Sequence, residues 1–163
     1  SAIILVPEIA LTPQMIERFK GRFGRDVALF HSRLSIGERY DEWLRIKEGK
    51  ARLVVGSRSA IFLPMKDLGI IIVDEEHENT YKSEQNPKYD KREVAEELSK
   101  IKNCKYVFAS ATPSIESYYK CLCKKLKLIE LKRRVNNKSL PRVHIIDMRK
   151  ELKEGNMSLL SRS

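Results

Sequence analysis

The chain has 163 residues, 42% of them hydrophobic, so it has room for one globular domain with a sizeable core and is not an intrinsically disordered sequence. No apolar run approaches the roughly 20 residues that span a bilayer, and no signal peptide is legible at the start. The net charge is +10, and residues 120–142 carry nine Lys/Arg against one acid, Glu130, which points to a polyanionic partner or else to a solvated basic tail.

Residues 2–6 read as an apolar strand that Pro7 ends. Thr12-Pro13 reads as a cap followed by proline in the first helical turn, with Met15, Ile16, Phe19 and Phe23 at helical spacing and Gly24 as the stop. Residues 27–30 form a second strand. Ser35 and Glu38 give a capping-box pattern that opens a helix with Tyr40, Trp43 and Leu44 on one face, closed by Gly49. Residues 52–55 are a third strand and residues 69–73 a fourth. The polar stretch 78–90, with Asn86-Pro87, is expected to be a loop. Val94, Leu98 and Ile101 mark another helix, residues 105–109 a strand, and residues 114–124 a helix. Further strands are expected near 126–131 and 143–147, with 132–141 between them as a linker and a polar tail from Met148. Strands that alternate with helices predict βαβ units and a parallel sheet.

Cys104, Cys121 and Cys123 are odd in number, and the C-x-C pair has no second pair to complete a zinc site, so a reduced, cytoplasmic protein is expected.

The run Gly69-Ile70-Ile71-Ile72-Val73-Asp74-Glu75-Glu76-His77 carries the most chemistry. A buried parallel strand feeds directly into three carboxylates and an imidazole, and ligands of such sheets gather beyond the carboxyl ends of the strands. Hard carboxylate oxygens suit Mg²⁺, which usually arrives with substrate phosphates. An exposed acidic turn is the plain alternative. A metalloprotease is excluded, because His77-Glu78 has no second histidine at helical spacing.

Four blocks taken together are more specific. They are Leu5-Val6-Pro7-Glu8-Ile9-Ala10-Leu11-Thr12, Val55-Gly56-Ser57-Arg58-Ser59-Ala60-Ile61-Phe62, Asp74-Glu75-Glu76-His77, and Ser110-Ala111-Thr112-Pro113-Ser114. They resemble the first motor lobe of superfamily-2 helicases of the DEAH/DExH type. Within that superfamily the nearest resemblance is to the primosomal protein N′ family of replication-restart helicases. Phe30-His31-Ser32, Glu42-Trp43 and Val143-His144-Ile145-Ile146-Asp147-Met148-Arg149 look like that family too, as does Glu76 in place of the alanine common elsewhere.

The resemblance implies an α/β fold, a RecA-like parallel sheet flanked by helices, in a P-loop NTPase lobe lacking its phosphate-loop strand. It implies ATP and Mg²⁺ as cofactors, with Asp74 holding the metal and contacting nucleotide beside Glu75. Glu75 would activate water, and His77 would relay nucleotide state. Ser110 and Thr112 would couple that state to DNA, although both are also ordinary helix-cap types. Pro7, Thr12 and Gln14, then Gly56, Ser57 and Arg58, match two DNA-contact motifs, and Tyr81 with Lys82 matches a loop that senses single-stranded DNA. For each of these a turn, cap or surface role is the alternative reading.

No G-x-x-x-x-G-K-[ST] is present; Gly49-Lys50 fails because positions 44 and 51 are leucine and alanine. The chain is therefore expected to be a fragment, residues 1–131 being part of the ATP-binding lobe and 132–163 a basic linker toward a second lobe. Alone it should have little ATPase activity, and zinc is expected only in the absent part. The resemblance implies forked or single-stranded DNA, ATP, single-strand-binding protein and primosome components as partners, and no membrane. A non-catalytic basic DNA-binding module and a metal-dependent hydrolase using Asp74, Glu75 and Glu76 are the competing readings.

Overall fold

The structure, a computed structural model, describes residues 1–7, 10–78, 88–132, 142–153, 155–158 and 160. It divides into two compact units, Ser1–Lys127 and Leu128–Ser163. The first unit is a five-stranded, all-parallel sheet with helices on both faces. In chain order it runs β1 (Ala2–Leu5), α1 (Pro13–Phe23), β2 (Val27–Phe30), α2 (Ile36–Glu48), β3 (Leu53–Gly56), a 3₁₀ turn (Arg58–Phe62), β4 (Ile70–Val73), α3 (Lys91–Lys102), β5 (Lys105–Phe108) and α4 (Ile115–Leu122). The spatial order is β2-β3-β1-β4-β5.

Local chemistry accounts for the helix ends. Thr12 accepts the Met15 N–H at 3.3 Å at the start of α1. Ser35 and Glu38 close the expected capping box on α2, and Gly49, in the left-handed region at φ 80°, ends it. Asp90 caps α3 through the Arg92 N–H, and Ser114 caps α4. α4 stops at Leu122, two residues before the expected end.

The period-2 alternation of the strands divides the core between two faces. Ile3, Leu5, Ala28, Val54, Ile71 and Val73 pack with Ile46 of α2, Ile61 of the 3₁₀ turn and Ala95 of α3. Val27, Leu29, Leu53 and Val55 pack on the other face with Met15, Ile16 and Phe19 of α1. Ile3, Leu5, Val54, Val55, Ile71 and Val73 are fully buried, and each contributes about 1.5–3 kcal/mol of apolar burial.

The register is as important as the packing. Phe30 lies opposite Gly56, Gly56 opposite Leu5, Leu5 opposite Val73, and Val73 opposite Phe108. All five strands therefore end in one row, and the segments that follow them emerge along a single edge.

Two expected strands do not form. Residues 126–131 and 143–147 are described without regular structure. Most of their apolar side chains lie in solvent (Leu131 is 93% exposed and Ile145 is 97%), and neither segment pairs with a strand among the described residues. In the second unit a short helix, α5 (Met148–Lys153), occupies the start of the polar tail, and Asn156 closes a turn through its amide to the Leu160 carbonyl at 3.0 Å. No helix among the described residues is long and apolar enough to cross a membrane.

The face that α1 covers on β2 and β3 is open over β5. Val107 is 43% exposed, and among the described residues β5 pairs only with β4. Parallel sheets are normally covered on both faces, and unpaired edges template association. The chain should therefore self-associate with rising concentration in sedimentation velocity, and Val107→Lys should weaken this. A monomer at every concentration would show that the open face is tolerated in water.

Candidate functional site

The site begins where β4 ends. The Asp74 N–H donates to the Leu5 carbonyl at 2.8 Å, and the Ala109 N–H donates to the Val73 carbonyl at 2.9 Å. The chain then turns sharply. Glu75 takes φ 45°, a left-handed conformation that costs a residue with a Cβ about 1–2 kcal/mol, and its N–H donates to Asp74 Oδ1 at 3.0 Å. The Glu76 N–H then reaches the Ala109 carbonyl at 3.0 Å. Bonds to β1 on one side and to the end of β5 on the other hold the strained turn.

This geometry sends the four side chains in different directions. Asp74 and Glu75 stay half-buried at the tip. Glu76 turns inward and is 1% exposed. His77 turns outward, with Nδ1 2.7 Å from Ser110 Oγ and 3.5 Å from Glu75 Oε2. Ser110 Oγ also accepts the Thr112 N–H at 3.0 Å, while the Thr112 side chain itself is exposed. Thus Ser110 meets the imidazole directly, and Thr112 contributes through its backbone.

Glu76 has the densest set of polar contacts at this turn, which its sequence neighbours do not announce. Its carboxylate accepts from the Ser114 N–H at 2.6 Å, Ser114 Oγ at 3.0 Å, Ser117 Oγ at 3.0 Å and Arg92 Nη1 at 3.3 Å. Burial pushes its pKa up, but the hydrogen bonds from Ser114, Ser117 and Arg92 outweigh this and hold it below the ordinary value. The Ser114-x-x-Ser117 hydroxyls, one helical turn apart, were the only hint in the sequence. Arg92 is itself gripped by Asp90, with Nη2 2.6 Å from Oδ2 and Nε 3.1 Å from Oδ1.

Residues 1–120 match the DEAD/DEAH box helicase family. The chain belongs to that family. It is 54% identical over 160 residues to the replication restart protein PriA of Bacillus subtilis (strain 168), covering 98% of this chain and 20% of the relative. Against the replication restart protein PriA of Synechocystis it is 46% identical over 168 residues, covering 100% and 20%. Against that of Treponema pallidum it is 45% identical over 151 residues, covering 93% and 23%. The chain thus spans about a fifth of the length of the curated relatives it matches.

As a DEAD/DEAH box helicase lobe the α/β sheet is RecA-like, and its row of strand ends collects the remaining candidates. Pro7 is buried after β1 and accepts the Ala10 N–H at 2.9 Å through its carbonyl. Thr12 and Gln14 are exposed at the start of α1, where Thr12 already serves as the cap. Gly56 is buried; a Cβ there would sit 2.4 Å from the Phe30 carbonyl oxygen, so the glycine is required for packing. Polar side chains that reach solvent in that segment belong to Ser57 and Arg58, both half-buried, and to the exposed Ser59. The Arg58 guanidinium lies 5.7 Å from the Tyr89 ring centroid, and Tyr89 packs edge-on to Phe62 at 5.2 Å. Tyr81 and Lys82, which the sequence singled out, lie outside the described residues; Tyr89 is the aromatic the structure sets beside Arg58.

No group of three or more His, Cys, Asp or Glu placed to hold a metal occurs among the described residues. Asp74 and Glu75 fit a different arrangement, in which one or two carboxylates and the substrate phosphates share a hard cation with water.

Lys91, at the start of α3, is fully buried. Burial pulls its pKa from 10.5 to about 6; Asp90 and Asp74 oppose the shift and Arg58 adds to it. Because the folded pKa lies below the unfolded one, folding releases a proton between these values and stability rises with pH across that window. Lys91→Met should abolish this part of the slope between about pH 6 and 10.5. Urea denaturation at several pH values checks it: wild type and variant should converge toward high pH and diverge toward pH 6, and parallel profiles would contradict the assignment.

Proposed function

We propose that this chain is part of the ATP-binding lobe of an ATP-dependent DNA helicase acting in replication restart. The observation that carries the reading is the 2.7 Å contact between His77 Nδ1 and Ser110 Oγ, which joins the acidic tip of β4 to the hydroxyl segment after β5, 33 residues away. A hydrolytic carboxylate and a neighbouring switchable contact are what a motor needs to pass nucleotide state onward.

In this reading Asp74 would hold Mg²⁺. The ion supplies charge neutralisation on the transferring phosphates. Glu75, displaced by its left-handed backbone from Asp74, orients the attacking water and takes its proton. Phosphoryl transfer is dominated by positioning and charge stabilisation, so two adjacent carboxylates with separate tasks suffice on this side of the nucleotide. His77 senses the state of Glu75, 3.5 Å away, and passes it to Ser110 and, through the Thr112 backbone, to the start of α4.

DNA is proposed to run along the row of strand ends near Thr12, Gln14, Ser57 and Arg58, with Pro7 and Gly56 shaping the two turns. Hydroxyl, amide and guanidinium groups there suit phosphate contacts, which carry no sequence information and so fit a motor that must move over any sequence. The basic run at 120–142, part of which lies outside the described residues, would add salt-dependent affinity. Residues 132–163 are proposed as the connection toward a second lobe. The isolated chain, which contains no phosphate-loop motif, is proposed to be inactive on ATP.

Glu75→Gln in a protein of the relatives' length carrying this chain should lower DNA-stimulated ATP turnover by about 10²–10⁴-fold and leave Mg·ATP binding intact. Steady-state ATPase with fluorescent-nucleotide titration measures both. Unchanged turnover would remove Glu75 from the hydrolytic role.

A further inference from the structure

The segment that carries Ser110 and Thr112 is held at both ends by one residue. The Glu76 N–H donates to the Ala109 carbonyl at 3.0 Å, just before Ser110. The Glu76 carboxylate takes the Ser114 N–H at 2.6 Å, just after Pro113. The same carboxylate takes the Ser114 and Ser117 hydroxyls, each at 3.0 Å, and so grips the first turn of α4. On its remaining side Arg92 of α3 approaches to 3.3 Å. α4 is tied to α3 a second time by an ion pair between Lys120 and Glu96.

We propose that Glu76 is the positioning residue of this site: by bracketing residues 109–114 it sets the Ser110 hydroxyl against His77, and it carries displacement of α4 and α3 to the imidazole. Glu76 touches neither Asp74 nor His77 through its side chain in any contact described above. Its influence runs through the peptide on either side of Ser110. A neutral side chain of equal size cannot replace it. Four donors converge on the two carboxylate oxygens, whereas an amide offers one oxygen and turns its NH₂ either toward the Ser114 N–H, in place of Oε1, or toward both hydroxyls and the Arg92 guanidinium, in place of Oε2. The functional consequence rests on the motor reading above, but the structural claim does not.

The test is Glu76→Gln in the 163-residue chain, with ¹⁵N-labelled histidine followed by NMR. His31, His77 and His144 are the three signals, and Ser110→Ala identifies the shift produced by losing the Ser110 contact. With circular dichroism unchanged, Glu76→Gln should move the His77 ring nitrogens in the same direction as Ser110→Ala and leave His31 and His144 in place. A folded Glu76→Gln chain whose His77 signals coincide with wild type overturns the proposal. Should Glu76→Gln not fold, Ser117→Ala removes one donor to the same carboxylate and should give a smaller shift of the same sign; no shift overturns the proposal equally.

In a protein of the relatives' length, Glu76→Gln should lower DNA-stimulated kcat by roughly tenfold to a hundredfold with KM for ATP unchanged. A wild-type protein without such turnover would remove the motor reading, while the His77 signals would still decide the positioning role.

Discussion

The common register of the five parallel strands is the constraint on which the rest depends. Because Phe30, Gly56, Leu5, Val73 and Phe108 stand in one row, five separate segments leave the sheet along one edge. No segment alone makes a site. The Asp74 turn gains its shape from β1 through the Leu5 carbonyl and from the end of β5 through Ala109. A slip of one residue between β4 and β5 would invert the faces of every side chain on one strand and separate His77 from Ser110. Burial on both faces, through the two apolar clusters, makes such a slip expensive.

On that frame the site stores its polar groups at different depths. Asp74 and Glu75 keep access to solvent, as groups that meet a phosphate-bound cation must. Glu76 is buried and saturated with donors, so its charge organises the fold and is not offered to a ligand. That difference argues against a hydrolase in which Asp74, Glu75 and Glu76 would act together on one metal. The half-buried Arg92 guanidinium at the start of α3 lies 3.3 Å from Glu76, so the buried carboxylate is compensated from within the lobe.

Much of this was legible in the sequence wherever the controlling interaction is local. Apolar runs bounded by glycine, proline or polar clusters gave the five strands, and Thr12, Ser35 and Gly49 marked helix ends by chemistry that acts over three or four residues. That His77 and Ser110 belong to one relay came from the family resemblance; their direct contact is seen only in the fold. What failed, or went unread, depended on distant partners. Residues 126–131 and 143–147 have strand-like composition, but a strand exists only where another is beside it. The bond from Glu76 to Ser117 spans 41 residues, and nothing near Glu76 in sequence announces it. Tyr89 looked like part of a polar loop, and only folding sets it against Arg58 and Phe62. Gly56 matched a DNA-contact motif; that its lack of a Cβ is also demanded by the Phe30 carbonyl depends on the neighbouring strand and was not legible locally.

The central claim is that the tip of β4 faces a metal-bound nucleotide. Anomalous diffraction from Mn²⁺, crystallised with a non-hydrolysable ATP analogue in a protein of the relatives' length carrying this chain, tests it most directly. A single strong peak is expected beside the Asp74 carboxylate, within reach of one intervening water, with Glu75 facing the terminal phosphate. A peak elsewhere in the lobe, or nucleotide bound with the turn from Asp74 to His77 facing away from it, would contradict the account.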